Sequence, residues 1–167
     1  MITWIIGISG SGKSTLSRDI VNKLRKKGKS VILLDGDEVR ELYNNDLSHS
    51  IKDRKINADR ICKLCKFFDE QHIDVVCAIL SIFPESRKWN RENYNNYFEI
   101  FIDSPVSQCV KRDSKGIYSN YYSGKIKNVA GLDLEFNKPS NPNLIIKNNK
   151  SLDYLLSFSD EIVENYI

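Results

Sequence analysis

Short apolar runs alternate with longer amphipathic stretches along this chain. The run Ile2 to Ile6 is rich in β-branched residues and ends at Gly7, which predicts a buried strand. In the following "GKSTLSRDIVNKLRKKGKS", the apolar positions Leu16, Ile20, Val21 and Leu24 recur at helical spacing. Lys and Arg fill its last turn and Gly28 closes it, as a helix C-terminus prefers. Val31 to Leu34 reads as a second strand, and a long amphipathic helix is predicted from about Lys55 to Gln71. Three more strands follow in "IDVVCAIL", "YFEIFID" and "NLIIKN", with a closing helix from about Leu152 to Tyr166. Regular alternation of this kind predicts an α/β fold, with a mainly parallel five-stranded sheet covered by helices on both faces. No linker or internal repeat divides residues 1–167, so one three-layer domain is expected.

One region breaks the alternation. From Asp113 to Pro142 the chain carries Gly116, Gly124, Gly131, Pro139 and Pro142 among polar and tyrosine residues. A long irregular stretch in a compact domain points to a lid or binding segment, placed at about 113–133. The bulk numbers narrow the choices further. A chain of 167 residues suits a single core, and a net charge of +3 is too small to argue for nucleic acid as a partner. It is compatible with an anionic small substrate. The N-terminus lacks a charged leader, and no run approaches the ~18 apolar residues of a membrane span, so a cytoplasmic protein without membrane attachment is expected. Cys62 and Cys65 form a C-x-x-C inside a helical pattern. Cys77 and Cys109 offer no second pair for zinc, so all four read as core or half-buried thiols.

The first candidate chemistry is "GISGSGKS", Gly7 to Ser14, which matches G-x-x-x-x-G-K-[ST] between a predicted strand and a predicted helix. Glycines let such a phosphate loop turn its backbone N–H groups toward phosphate oxygens, and the helix N-terminus adds partial positive charge. Gly7, Ser9, Gly10, Ser11, Gly12, Lys13, Ser14 and Thr15 are therefore assigned to ATP. Lys13 should reach the β- and γ-phosphates, and the Ser14 hydroxyl should ligate Mg²⁺. A switch GTPase would want an N-K-x-D-type guanine reader after a later strand, and "KNNKSLD" is only a loose echo of one. A small-molecule kinase of the P-loop NTPase type is the better reading.

"LLDGDEVR" ends the second strand, which places Asp35 and Asp37 where open α/β sheets bind ligands. Asp37 could accept a proton from an attacking hydroxyl, and either carboxylate could hold Mg²⁺ through water. Asp37 could instead only cap the helix "EVRELY". Arg40, Arg54, Arg60, Arg87 and Arg91 follow. Arg grips phosphate or sulfate in a bidentate way, but composition does not select among them.

Together these residues resemble a known family. "WIIGISGSGKST", "LLDGDEVR", Arg54 with Asn57, "ILS" with Arg87 and Arg91, "FIDSP", "RDSKGIY" and "SGKIKNVAGLD" are similar to adenylyl-sulfate kinase, in the family's order, over about residues 3 to 145. The resemblance implies a P-loop kinase, usually a homodimer, with a lid over both nucleotides. With Mg²⁺ it would move the γ-phosphate of ATP to the ribose 3′-hydroxyl of an anionic nucleotide acceptor. Motif match implies that Arg40, Arg54 and Asn57 hold the acceptor and that Asp35 and Asp37 serve the hydroxyl and the metal. Ser81 takes the place of a serine that lies beside the acceptor and is sometimes phosphorylated. Lys127 and Asp133 belong to the lid side.

Two departures bear on the acceptor. Where the family reads D-L-G-F-S, this chain has Asp46-Leu47-Ser48-His49-Ser50, so His49 replaces a phenylalanine that packs on the acceptor's adenine. Where the lid reads G-F-T-G or N-F-T-G, this chain has Asn128-Val129-Ala130-Gly131, so Val129 replaces the ring on the other adenine face. Stacking on an aromatic ring contributes about 1–3 kcal/mol per base. Loss of both rings, with the phosphate-handling residues intact, points to a changed and smaller base such as a pyrimidine. The pattern looks like cytidine diphosphoramidate kinase, which serves capsule phosphoramidate biosynthesis. Plain adenylyl-sulfate kinase is the alternative. A nucleotide-binding regulatory module without catalysis would show decay at Lys13, Asp37 or Arg54, and all three are present.

Overall fold

The computed structural model describes residues 1–165. Its strands are β1 (Ile2–Ile6), β2 (Val31–Asp35), β3 (Asp74–Ile79), β4 (Tyr97–Asp103) and β5 (Leu144–Lys147). They form one sheet in the order β2-β3-β1-β4-β5, and every adjacent pair is parallel. β1 lies at the centre, with Ile2 opposite both Val75 of β3 and Tyr97 of β4. A central parallel strand has no solvent face, which is why all five β1 residues are buried and why the run is apolar without alternation.

Strand geometry then divides the core into two layers. Ile5 packs with Val76, Ile100 and Ile146 against Leu16, Ile20 and Leu24 of α1 (Lys13–Lys26) and Leu155 and Ile162 of α7 (Leu152–Asn165). Ile2, Trp4 and Ile6 point to the other face, against Ile61, Cys62 and Cys65 of α3 (Ile51–Glu70), with Trp89 of α4 (Pro84–Asn93) at the margin. Each fully buried Ile or Leu contributes about 1.5–3 kcal/mol relative to exposure. A third cluster, with Ile8, Cys109, Tyr118, Val129 and Ala130, lies beyond these two and is built largely from the expected lid itself. All four cysteines are free and buried, and burial pushes the Cys62 thiol up to about 12. The C-x-x-C thus belongs to the core.

Three expectations change in detail. The long helix starts at Ile51 instead of near Lys55, because the Ser50 side chain accepts from Asp53 N at 3.1 Å and caps it. The lid segment is not irregular throughout. It contains α6 (Ile117–Tyr122), which follows α5 (Val106–Arg112), and it ends in a turn bridged between Ala130 and Leu134. The closing helix is seen through Asn165, and its expected end at Tyr166 lies outside the described residues. Among the described residues, no helix is long and apolar enough to cross a membrane.

Candidate active site

The carboxyl ends of the strands open onto a cavity of about 730 Å³. The Gly7–Ser14 loop forms its floor. Gly10 and Gly12 have φ of 72° and 100°, where side chains are strained, and a Cβ on Gly12 would come within 2.5 Å of Leu155. Four successive loop carbonyls are each held by a side chain, three of them from outside the loop. Ile8 O accepts from Lys13 Nζ at 2.8 Å, Ser9 O from the Tyr118 hydroxyl at 2.9 Å, and Gly10 O from Arg112 at 3.2 Å. Ser11 O accepts from Asn148 Nδ2 at 2.8 Å and Ser104 Oγ at 3.4 Å. The Ser11 N–H closes a turn onto Ile8 O at 3.2 Å, and the loop's remaining N–H groups are offered to an anion. Ser9, Gly10, Gly12, Lys13, Ser14 and Thr15 line the cavity, while Ser11 is buried beneath it and Gly7 packs within 2.5 Å of Ser11 Oγ, measured to the Cβ it lacks.

The two acidic residues have different jobs. Asp35 is buried and N-caps α2 (Gly36–Leu42): its Oδ1 accepts from Asp37 N at 3.0 Å and its Oδ2 from the Ser14 hydroxyl at 2.5 Å. Capping therefore falls to Asp35, and Asp37 is released into the cavity, where it pairs with Lys115. Burial disfavours the charge on Asp37, but the Lys115 ammonium outweighs it and holds the carboxyl below its ordinary range. Burial likewise pulls Lys13 down to about 8, against the opposing pull of Asp35. Ser14 and Asp35 together offer two hard oxygen donors, which suits an ion such as Mg²⁺ that keeps most of its shell as water and phosphate.

Lys13 carries a stability consequence. Its folded pKa lies near 8 and its unfolded value near 10.5, so the unfolded chain binds more protons between those pH values. The burial penalty is full below pH 8 and fades as pH rises to 10.5. Lys13→Met should therefore stabilise the fold by about 1–2 kcal/mol at pH 7, after discounting for partial exposure of the site. That gain should shrink toward zero in urea unfolding repeated near pH 10.5.

The other wall carries the acceptor candidates. His49, Arg54, Lys127 and Val129 all line the same cavity. Arg54 joins two of its walls, donating through Nε to His49 O at 3.0 Å and through Nη2 to Asn128 O at 3.1 Å. Partial desolvation at the cavity wall, then the nearby Arg54 and Arg40, lowers the His49 pKa, so its imidazole is neutral at pH 7. Asp133 does not face the cavity. Its oxygens accept from the N–H groups of Asn128 at 2.8 Å and Val129 at 2.7 Å, which fixes the lid turn.

Three expected acceptor residues stand one layer back. Arg40 is buried, and its Nη1 donates to Leu47 O at 3.3 Å and Ser48 O at 3.1 Å, so it supports the "DLSHS" loop. Asn57 is buried behind Gly36, donating to its carbonyl at 3.4 Å. Ser81 is 5% exposed, with a φ of 53°, and its hydroxyl accepts from Trp4 Nε1 at 3.2 Å instead of facing the cavity. Arg87 and Arg91 hold carbonyls of Ser81, Asn137 and Asn141, and Arg91 also pairs with buried Glu99 at 2.7 Å. Arg60 forms a bidentate pair with Asp46 over the Tyr43 ring. The cavity also recruits Arg112, Lys115, Asn148 and the start of α7, which had no assigned role. Arg112 and Lys115 lie within the "RDSKGIY" stretch. Asn148 follows β5, where the rule for ligands at strand carboxyl ends would have flagged it.

Known proteins share the sequence pattern and the fold of this chain. A family model described as adenylylsulphate kinase matches residues 1–147. The chain is 38% identical over 150 residues to the cytidine diphosphoramidate kinase of Campylobacter jejuni, covering 88% of this chain and 85% of that one. It is 37% identical over 147 residues to an adenylyl-sulfate kinase of Pseudomonas aeruginosa, covering 87% and 75%. Of two bifunctional relatives it spans only 23% of the length. Among solved structures, the Mycobacterium tuberculosis APS kinase in complex with AMPPNP and APS superposes with a TM-score of 0.88 at 31% identity, covering 97% of this chain and 94% of that one.

Proposed function

This chain belongs to the adenylylsulphate kinase family, phosphotransferases with a hydroxyl acceptor, and we propose that its acceptor is a cytidine 5′-diphosphoramidate phosphorylated on the ribose 3′-hydroxyl. Overall identity does not choose between acceptors, at 38% to one relative and 37% to another. The observation that carries the choice is that His49 and Val129 line one cavity with Arg54, so both aromatic walls for adenine are missing from a single pocket. A neutral imidazole and an isopropyl group suit a smaller ring with weaker stacking. Retention of Lys13, Asp37 and Arg54 around that pocket leaves adenylyl-sulfate as the second reading.

The chemistry follows from the placement of the groups. The acceptor 3′-oxygen attacks the γ-phosphorus of ATP in line, the bond from that phosphorus to the β,γ-bridging oxygen breaks, and ADP leaves. Asp37 takes the hydroxyl proton. A weak base suffices, because phosphoryl transfer passes through a loose transition state in which positioning and charge neutralisation dominate. Lys13 leaves the Ile8 carbonyl for the β- and γ-phosphates, and Arg54 turns the rest of its guanidinium fork to the acceptor's 5′-phosphoryl group. Ser14 and Asp35 would hold Mg²⁺, which when bound would supply positive charge against the phosphates. Action as a homodimer in the cytoplasm belongs to the same proposal.

An acceptor panel tests it: adenylyl-sulfate, cytidine diphosphoramidate, CDP and ADP, each with MgATP and followed by ³¹P NMR. Cytidine diphosphoramidate should be turned over most efficiently. Efficient turnover of adenylyl-sulfate alone would overturn the changed base, and no product from any acceptor would end the kinase reading.

A further inference from the structure

Ser81 sits in a turn that its own backbone disfavours. Its φ is 53°, in the left-handed region that residues with a Cβ rarely adopt. Such a conformation persists only where the surroundings over-determine it, and two buried side chains hold this one. Trp4 Nε1 donates to the Ser81 hydroxyl at 3.2 Å, and Arg87 Nη1 donates to the Ser81 carbonyl at 2.6 Å. The turn matters because of what flanks it. Leu80, on one side, lines the cavity. Ile82, on the other, packs in the cluster that contains Val129 and Ala130 of the lid turn.

Arg87 reaches further than that turn. It lies on α4, is 5% exposed, and stands behind the cavity instead of lining it. Its second arm, Nη2, donates to Asn137 O at 3.2 Å, in the segment that leads from the lid turn to β5. Burial lowers its pKa, and the Glu99 carboxylate is the charge that opposes this most. The guanidinium is thus already supplied with acceptors and a counter-charge, which leaves it no part in gripping an anionic substrate. We propose that Arg87 is a positioning residue for the acceptor: it ties the Ser81 turn to the exit of the lid segment, and so fixes the Leu80 wall of the pocket against the Val129 wall. The proposal rests on the pocket around Val129 being the acceptor's, as proposed above, and not on which base fills it.

Steady-state kinetics with cytidine diphosphoramidate and MgATP, beside calorimetric binding of ADP, test it. An ammonium lacks the rigid fork that spans both carbonyls, so Arg87→Lys should raise the acceptor KM by about tenfold or more and leave ADP affinity within about twofold of wild type. Glycine adopts the left-handed region freely, so adding Ser81→Gly to Arg87→Lys should bring the KM back by about threefold or more. A role confined to stability would lower the melting temperature and leave the acceptor KM alone, or weaken acceptor and ADP equally, and either result would overturn the proposal. Absence of recovery in the double variant would overturn it too. Trp4→Phe keeps the proposal testable if Arg87→Lys does not fold. It frees the Ser81 hydroxyl with Arg87 in place and should raise the acceptor KM by about fivefold; an unchanged KM there would remove the Ser81 turn from acceptor binding, and Arg87 with it. The effects should be of the same size with adenylyl-sulfate. Turnover of adenylyl-sulfate alone would overturn the proposed base and leave the Arg87 test to be run with that acceptor.

Discussion

Asp37→Ala lowers turnover by about 10²–10⁴-fold, the range that one positioned acid or base contributes, while ADP affinity stays near the wild-type value. The expectation rests on the division of labour between the two carboxylates. Asp35 caps α2 and holds the Ser14 hydroxyl, so removing the Asp37 side chain takes away neither a cap nor a loop contact. Among the described residues the Asp37 carboxylate bonds with Lys115 alone, and it stands in the cavity. Lys115 keeps it ionised at neutral pH, ready to accept the hydroxyl proton. Steady-state rates and calorimetric ADP binding on the same preparation check the claim. A wild-type rate in the variant would remove Asp37 from the chemistry.

Restoring both rings, His49→Phe with Val129→Phe, should shift the ratio of activity on adenylyl-sulfate to activity on cytidine diphosphoramidate by about 10–100-fold toward the adenine acceptor. Each ring face contributes about 1–3 kcal/mol of stacking. The two positions are not equally tolerant. His49 is exposed, so a phenylalanine there meets little resistance. Val129 is 4% exposed and packs in the cluster that includes Ile8 and Tyr118, so a larger ring costs about 1–3 kcal/mol unless it turns into the cavity. Thermal unfolding of the double variant shows whether it has folded, and His49→Phe alone gives the smaller shift in a safer background. A folded double variant with an unchanged ratio would remove the two missing rings as the cause of acceptor choice.

Much of the fold was legible because the hydrophobic period reports it directly. β1 had to be a buried strand, and Leu16, Ile20 and Leu24 had to share one helix face. The start of α3 was misjudged because Ser48, Ser50 and Asp53 lay in a stretch read for its chemistry, while their hydroxyl and carboxylate groups cap a helix. α6 was hidden by Gly116 and Gly124, which flank it and suggest a loop. The cavity floor was legible from motif spacing alone. Its depth was not. The family resemblance brought Arg40, Asn57 and Ser81 to the site, but only packing shows that their polar groups serve nearby backbone or Trp4. Lys115 and Asn148 escaped because their partners are 78 and 137 residues away in sequence. No local pattern reports such a contact.

The held carbonyls of the phosphate loop also set a timetable. The loop, Gly7 to Ser14, precedes in sequence the residues outside it that hold it. Its central strand pairs with residues 75–79 and 97–101, and its carbonyls are held by Arg112, Tyr118 and Asn148. A nascent chain that displays the complete motif therefore has no formed phosphate cradle until β5 has emerged. The phosphate cradle is therefore among the last parts of the domain to form, although its own residues precede all of these partners.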